Sequence, residues 1–122
     1  MSFFDELVRE TEAERQHLLS APIIELVFKG EITRDHYVAF LTQAYHHVKH
    51  TVPLMMAVGS QLSEQKEWMR VAIAEYIEEE IGHQEWVLND IAACGYDKEF
   101  VRANCPSLAT EVMVAYAYDV IQ

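Results

Sequence analysis

Apolar residues recur along this chain at three- and four-residue intervals, and strict alternation never lasts beyond a few residues, so the pattern predicts helices and no sheet. A first stripe, Phe3, Leu7, Thr11, Glu14 and Leu18, predicts a helix from about Phe3 to Leu19. A short second helix follows Pro22 through Ile23, Ile24, Leu26 and Val27 and stops at Gly30. Proline suits a first helical turn, and glycine suits the left-handed residue after the last one. Thr33 is placed to cap a long third helix with Tyr37, Val38, Leu41, Ala44, Tyr45, Val48, Val52 and Met55 along one side, adjusted near its end by Pro53. Ser63 opens a fourth helix that Gly95 closes, and Pro106-Ser107 opens a fifth running through Met113, Ala117 and Val120. The class is all-α, in one helical domain over residues 1–122. The last helix meets Gln122 with no Gly, Pro or cap to stop it, so the chain is expected to be part of something longer.

The fourth helix carries the most informative pair. Read as continuous from Trp68 to Ile91, it puts Met69, Ile73, Tyr76, Ile77, Val87, Leu88 and Ile91 on one face. Glu80 and His83 fall in the middle of that face, while Glu75, Glu78, Glu79 and Glu85 fall on the outer one. A carboxylate and an imidazole on a buried face need compensation, because isolated buried charge is costly. A divalent metal suits Glu-x-x-His, since side chains three apart on a helix converge. The plainer alternative is that the two pair with each other.

The third helix holds four of the six histidines, His36, His46, His47 and His50, together with Gln43, away from its main apolar stripe. His46 with His50, and His47 with His50, have chelating spacings. Phe40 and Leu54 lie toward the His47 side, which makes His47 the favoured pocket imidazole and His46 and His50 the weaker metal candidates. Glu14-Arg-Gln-His17 repeats the Glu-x-x-His spacing, as in ferritin-like di-iron bundles, but His17 sits at the edge of its stripe. Tyr76 lies one turn before Glu80 and is a candidate pocket phenol, whereas Lys49, Trp68 and Trp86 read as structural.

Composition narrows the classes. Apolar residues make up 51% of the 122, with only 4 Gly and 3 Pro, which excludes a disordered chain. The net charge of −11 repels nucleic-acid phosphates and anionic membranes, so neither partner is expected. Met1-Ser-Phe-Phe-Asp-Glu lacks the basic start and long apolar run of a signal peptide, and no stretch approaches the roughly 18 consecutive apolar residues that a membrane span needs. Cys94 and Cys105 do not form a zinc motif, and two reduced thiols in a cytoplasmic protein are the expectation. No phosphate loop, serine elbow or CxxC occurs.

From Pro22 to Val48 the chain resembles the opening of the heme-oxygenase-like helical superfamily, in particular its TenA thiaminase and PQQ-synthase relatives. Pro22 and Gly30 keep that group's spacing, and Gln43 and Tyr45 keep two positions of its Gln-Asp-Tyr. Ala44 stands where thiaminases carry the aspartate that holds the pyrimidine, and Ala21 where many carry histidine, which argues against thiaminase chemistry. The chain is more similar to the non-heme iron branch, the iron-containing redox enzymes or di-iron oxidases. Those carry a metal-binding His, in some preceded by Glu, at the positions of Glu80 and His83, and a carboxylate ligand on the preceding long helix, where this chain has His47.

The resemblance implies a heme-oxygenase-like bundle of which these residues are the N-terminal half, about five helices. It implies iron as Fe(II), in one- or two-metal form, with manganese as the other fitting ion. Dioxygen and a small-molecule substrate would be its partners. The family's other ligands, a Glu and a His-x-x-x-Asp-x-x-His set, belong to the second half of the fold. Half a bundle leaves apolar faces open around Leu41 and Ile77, so a homodimer or further chain is expected to cover them. The alternatives are a TenA-like hydrolase, which needs a pocket cysteine, and a non-catalytic helical binding or oligomerisation module.

Overall fold

The computed structural model describes residues 2–122, and every regular element among them is helical. The chain forms two compact units, one up to His36 and the other Tyr37–Gln122.

The first unit carries α1 (Phe3–Glu10), α2 (Glu12–Leu19) and α3 (Pro22–Lys29). Ser2 and Asp5 form a reciprocal capping box at the start of α1. The single helix expected from Phe3 to Leu19 is interrupted at Thr11, whose hydroxyl turns back to donate to the Leu7 carbonyl at 2.8 Å. Pro22 opens α3 and Gly30 ends it in the left-handed conformation at φ 69°, as the sequence predicts. Thr33 caps α4 (Arg34–Val48) by accepting the His36 N–H at 3.2 Å, and the His36 ring accepts the Thr33 N–H in return. His36 therefore does the work of the glutamate of a capping box.

In the second unit α4 is followed by α5 (Thr51–Gln61), a 3-10 turn at Glu64–Lys66, α6 (Glu67–Glu80), α7 (His83–Ala93), α8 (Lys98–Ala103) and α9 (Leu108–Ile121). The long third helix breaks at Lys49-His50 rather than bending at Pro53. Proline has no N–H to offer the carbonyl four residues back, and its ring crowds that carbonyl. The break puts Pro53 in the first turn of α5, where a missing donor costs nothing.

The fourth helix also divides. Ile81 is extended (ψ 123°) and Gly82 is left-handed (φ 92°), so the continuous wheel from Trp68 to Ile91 does not exist. Each half packs against its own partner, α6 through half-buried residues and α7 through fully buried ones. Ile73 of α6 lies against Gly59 of α5, while Leu88 and Ile91 of α7 are fully buried with Val38, Leu41 and Tyr45 of α4 and Val101 of α8. Tyr76, expected on the buried face, is exposed. Leu41 lies in the core and Ile77 is half-buried, so the open apolar faces lie elsewhere.

Helix α8 has no counterpart in the sequence reading. Asp97 caps it by accepting the Glu99 and Phe100 N–H groups, and Arg102 ties it to α7 through a two-pronged bond to Glu85 at 2.6 and 2.9 Å. That bond holds the Glu85 carboxyl below its usual range and leaves the residue half-covered rather than fully exposed.

Candidate functional site

Glu80 closes α6 and His83 opens α7, so the pair meets across the Gly82 turn rather than along one continuous helix. His83 Nδ1 lies 2.9 Å from Glu80 Oε2, and the two side chains are 27% and 20% exposed. The Trp86 ring lies 4.2 Å from the imidazole centroid and fixes one side of it. Glu78 and Glu79 are exposed, as expected. The pair is therefore sheltered and pre-positioned, with a carboxylate oxygen and an imidazole nitrogen at one point.

His47 does not complete a three-donor group with them. Among the described residues no cluster of three or more His, Cys, Asp or Glu side chains could hold a metal ion. His47 is half-buried. Glu14 and His17, the second Glu-x-x-His, are both exposed. Cys94 packs against the apolar core and Cys105 is exposed.

The histidines that share a cavity are His46 and His50. It has a volume of about 370 Å³ and lies between the end of α4 and the inner face of α9, with Lys49, Thr110, Val114, Ala115 and Tyr118 also in its wall. His46 is 1% exposed and neither ring nitrogen has a hydrogen-bond partner. His50 Nδ1 lies 3.1 Å from the Tyr118 hydroxyl. Burial, then Lys49 and then His50 hold the His46 ring below its ordinary pKa, and burial and Lys49 do the same to His50, so both are neutral imidazoles at neutral pH. The Lys49 ammonium stands 5.3 Å from the Tyr45 ring centroid.

Gln43 fixes the cavity's geometry. Its Oε1 accepts from the Ser107 N–H at 2.9 Å and from the Thr110 hydroxyl at 2.8 Å, tying the start of α9 to α4. Gln43, His46 and His50 recur at three- and four-residue spacing, so the sequence places them on one flank of α4, and the structure shows that flank to be the covered one. Lys49, read as structural, and Tyr118 and Thr110, which the sequence reading did not single out, could not be found that way. They reach the cavity from another helix or from the break after α4.

Comparison with known proteins agrees with this architecture. A family model described as iron-containing redox enzyme matches residues 38–122. The chain is similar to a crystal structure from Shewanella denitrificans described as a domain of unknown function with a heme oxygenase-like fold. The two share 28% identity and a TM-score of 0.83, over 99% of this chain and 53% of that one. The chain thus spans about half the length of that relative. No curated protein matches it. All-helical, laid out like a heme oxygenase and matched over well more than half its length, this chain belongs to the family of iron-containing redox enzymes.

Proposed function

We propose that the intact protein is a non-heme iron oxidase or oxygenase of the heme-oxygenase-like di-iron type, acting on a small organic molecule, with Glu80 and His83 as iron ligands. The observation that carries this reading is the sheltered 2.9 Å contact between Glu80 and His83 across the Gly82 turn. Membership of the iron-containing family supports it.

The donors suit the metal. An anionic oxygen and a neutral nitrogen fit Fe(II), and manganese as well, better than a soft thiophilic ion. The contact that now joins them is the one an ion between them would replace. Bound iron would supply the redox chemistry with dioxygen. Glu80 would offset the ion's charge, Trp86 would hold the His83 ring in one orientation, and partial burial would limit water at the site. The chain's own share is a two-donor arm, and the proposal places the remaining ligands elsewhere in the intact protein. A TenA-like hydrolase has less support, since neither Cys94 nor Cys105 lines the cavity.

Iron content of the intact protein tests the reading. Glu80→Ala and His83→Ala are each expected to lose most of the iron, and His47→Ala to keep it, because His47 does not join the pair. An unchanged iron load in His83→Ala overturns the assignment.

A further inference from the structure

The cavity between α4 and α9 contains neither Glu80 nor His83. Its wall is built in a way that pure packing does not explain. His46 is buried with both nitrogens unpartnered, an arrangement that packing alone disfavours. Among the described residues no carboxylate pairs with Lys49, although acidic residues outnumber basic ones 20 to 9 along the chain. His50 and Tyr118 share one hydrogen bond, and whichever way it points, a proton is left over. If the phenol donates, the far ring N–H of His50 is free. If the ring donates, the phenol O–H is free.

We propose that this cavity binds a small organic acid, its carboxylate held by Lys49, His46 and the His50–Tyr118 pair and its hydrocarbon body lying on Val114, Ala115 and Pro106. Three unspent donors, one of them cationic, call for an oxyanion. A metal ion is disfavoured there by the Lys49 charge and by having only two imidazoles. A neutral apolar ligand would leave the donors unpaired. Free phosphate shares the oxyanion chemistry, but two features favour the organic acid. Glu111 also lines the cavity and opposes a doubly charged ion, and the apolar wall rewards a hydrocarbon tail. The volume of about 370 Å³ is in the range of ligand pockets.

Calorimetric titration of the intact protein with isovalerate and, separately, with inorganic phosphate at matched ionic strength tests this. Isovalerate is expected to bind saturably, and at least tenfold more tightly than phosphate. Lys49→Met and His46→Leu are each expected to weaken isovalerate binding at least tenfold, while Glu80→Ala leaves it unchanged, which separates this site from the proposed iron ligands. Should His46→Leu fail to fold, Lys49→Met decides alone, because its head group is not part of the core. No saturable isovalerate binding, unchanged binding in Lys49→Met, or phosphate binding as tightly as isovalerate each overturns the proposal. Loss of binding in Glu80→Ala also overturns it, since the acid would then be held at the iron.

Discussion

His46 is the residue at which stability and ligand binding pull apart. Replacing it with leucine removes two buried polar atoms without removing any hydrogen bond, so His46→Leu is expected to raise stability by about 1 kcal/mol in urea unfolding. Its protonation gives a pH signature. Above its ordinary value of 6.5 the ring is neutral in the folded and unfolded chain alike. As pH falls through that value the unfolded ring takes a proton that the folded ring resists, and stability falls. The urea midpoint is therefore expected to drop between pH 7.5 and 5.5, and to drop less in His46→Leu. Gly82 is the other decisive residue. A side chain there meets no neighbour, so the cost of Gly82→Ala is that of the left-handed backbone alone, about 1–2 kcal/mol. Iron content of that variant is expected to fall with it, because the turn is what joins Glu80 to His83.

At the scale of elements, three long amphipathic segments became six helices, and each break has a local cause: the Thr11 hydroxyl, the Pro53 ring and the Gly82 turn. The break between α5 and α6 is held by Arg70. Its Nε donates to the Gly59 carbonyl at 3.0 Å and its Nη2 to the Leu62 carbonyl, satisfying groups that the end of α5 leaves open. Arg70→Met is expected to cost about 1 kcal/mol, the value of charge-assisted bonds discounted for partial exposure, as measured by thermal or urea unfolding. Gly59 offers the opposite outcome. A methyl group there would sit 3.9 Å from Ile73, an ordinary contact, and alanine favours the helix. Gly59→Ala is expected to stabilise by about 0.5–1 kcal/mol in the same assay.

Across the whole molecule, burial is uneven. Helix α9 turns Thr110, Val114, Ala117, Tyr118 and Ile121 inward, yet Leu108, Val112, Met113, Tyr116 and Val120 stand exposed on its other side. A helix apolar all round belongs in an interior. Phe3, Phe4 and Phe28 of the first unit are exposed as well. Surfaces of this kind associate unless charge keeps them apart, and the net charge of −11 supplies that repulsion mainly at low salt. The 122-residue chain by itself is expected to self-associate as salt is raised, which sedimentation velocity at 20 and 500 mM salt would show. Val112→Lys with Tyr116→Lys should suppress it. No helix among the described residues is long and apolar enough to cross a membrane.

Local chemistry determined what the sequence could show. The all-α class, the Pro22 start, the Gly30, Gly95 and Ser107 boundaries and the pairing of Glu80 with His83 depend on neighbours within a turn or two, and spacing reveals them. Tertiary structure alone decided which flank of α4 is buried. The main apolar stripe there fits the sequence, but on the polar flank the sequence favours His47 as the pocket imidazole, with His46 and His50 as weaker candidates. The choice fell to α9, whose Thr110 and Ser107 bond Gln43 and whose Tyr118 meets His50 from more than sixty residues away. The break at Gly82 was equally out of reach, since a lone glycine in an amphipathic run is tolerated inside a helix and also suits its end. The glycine permits the left-handed turn, and on either side of it the two halves pack on different partners, α6 beside Gly59 and α7 in the Val38–Leu41 core.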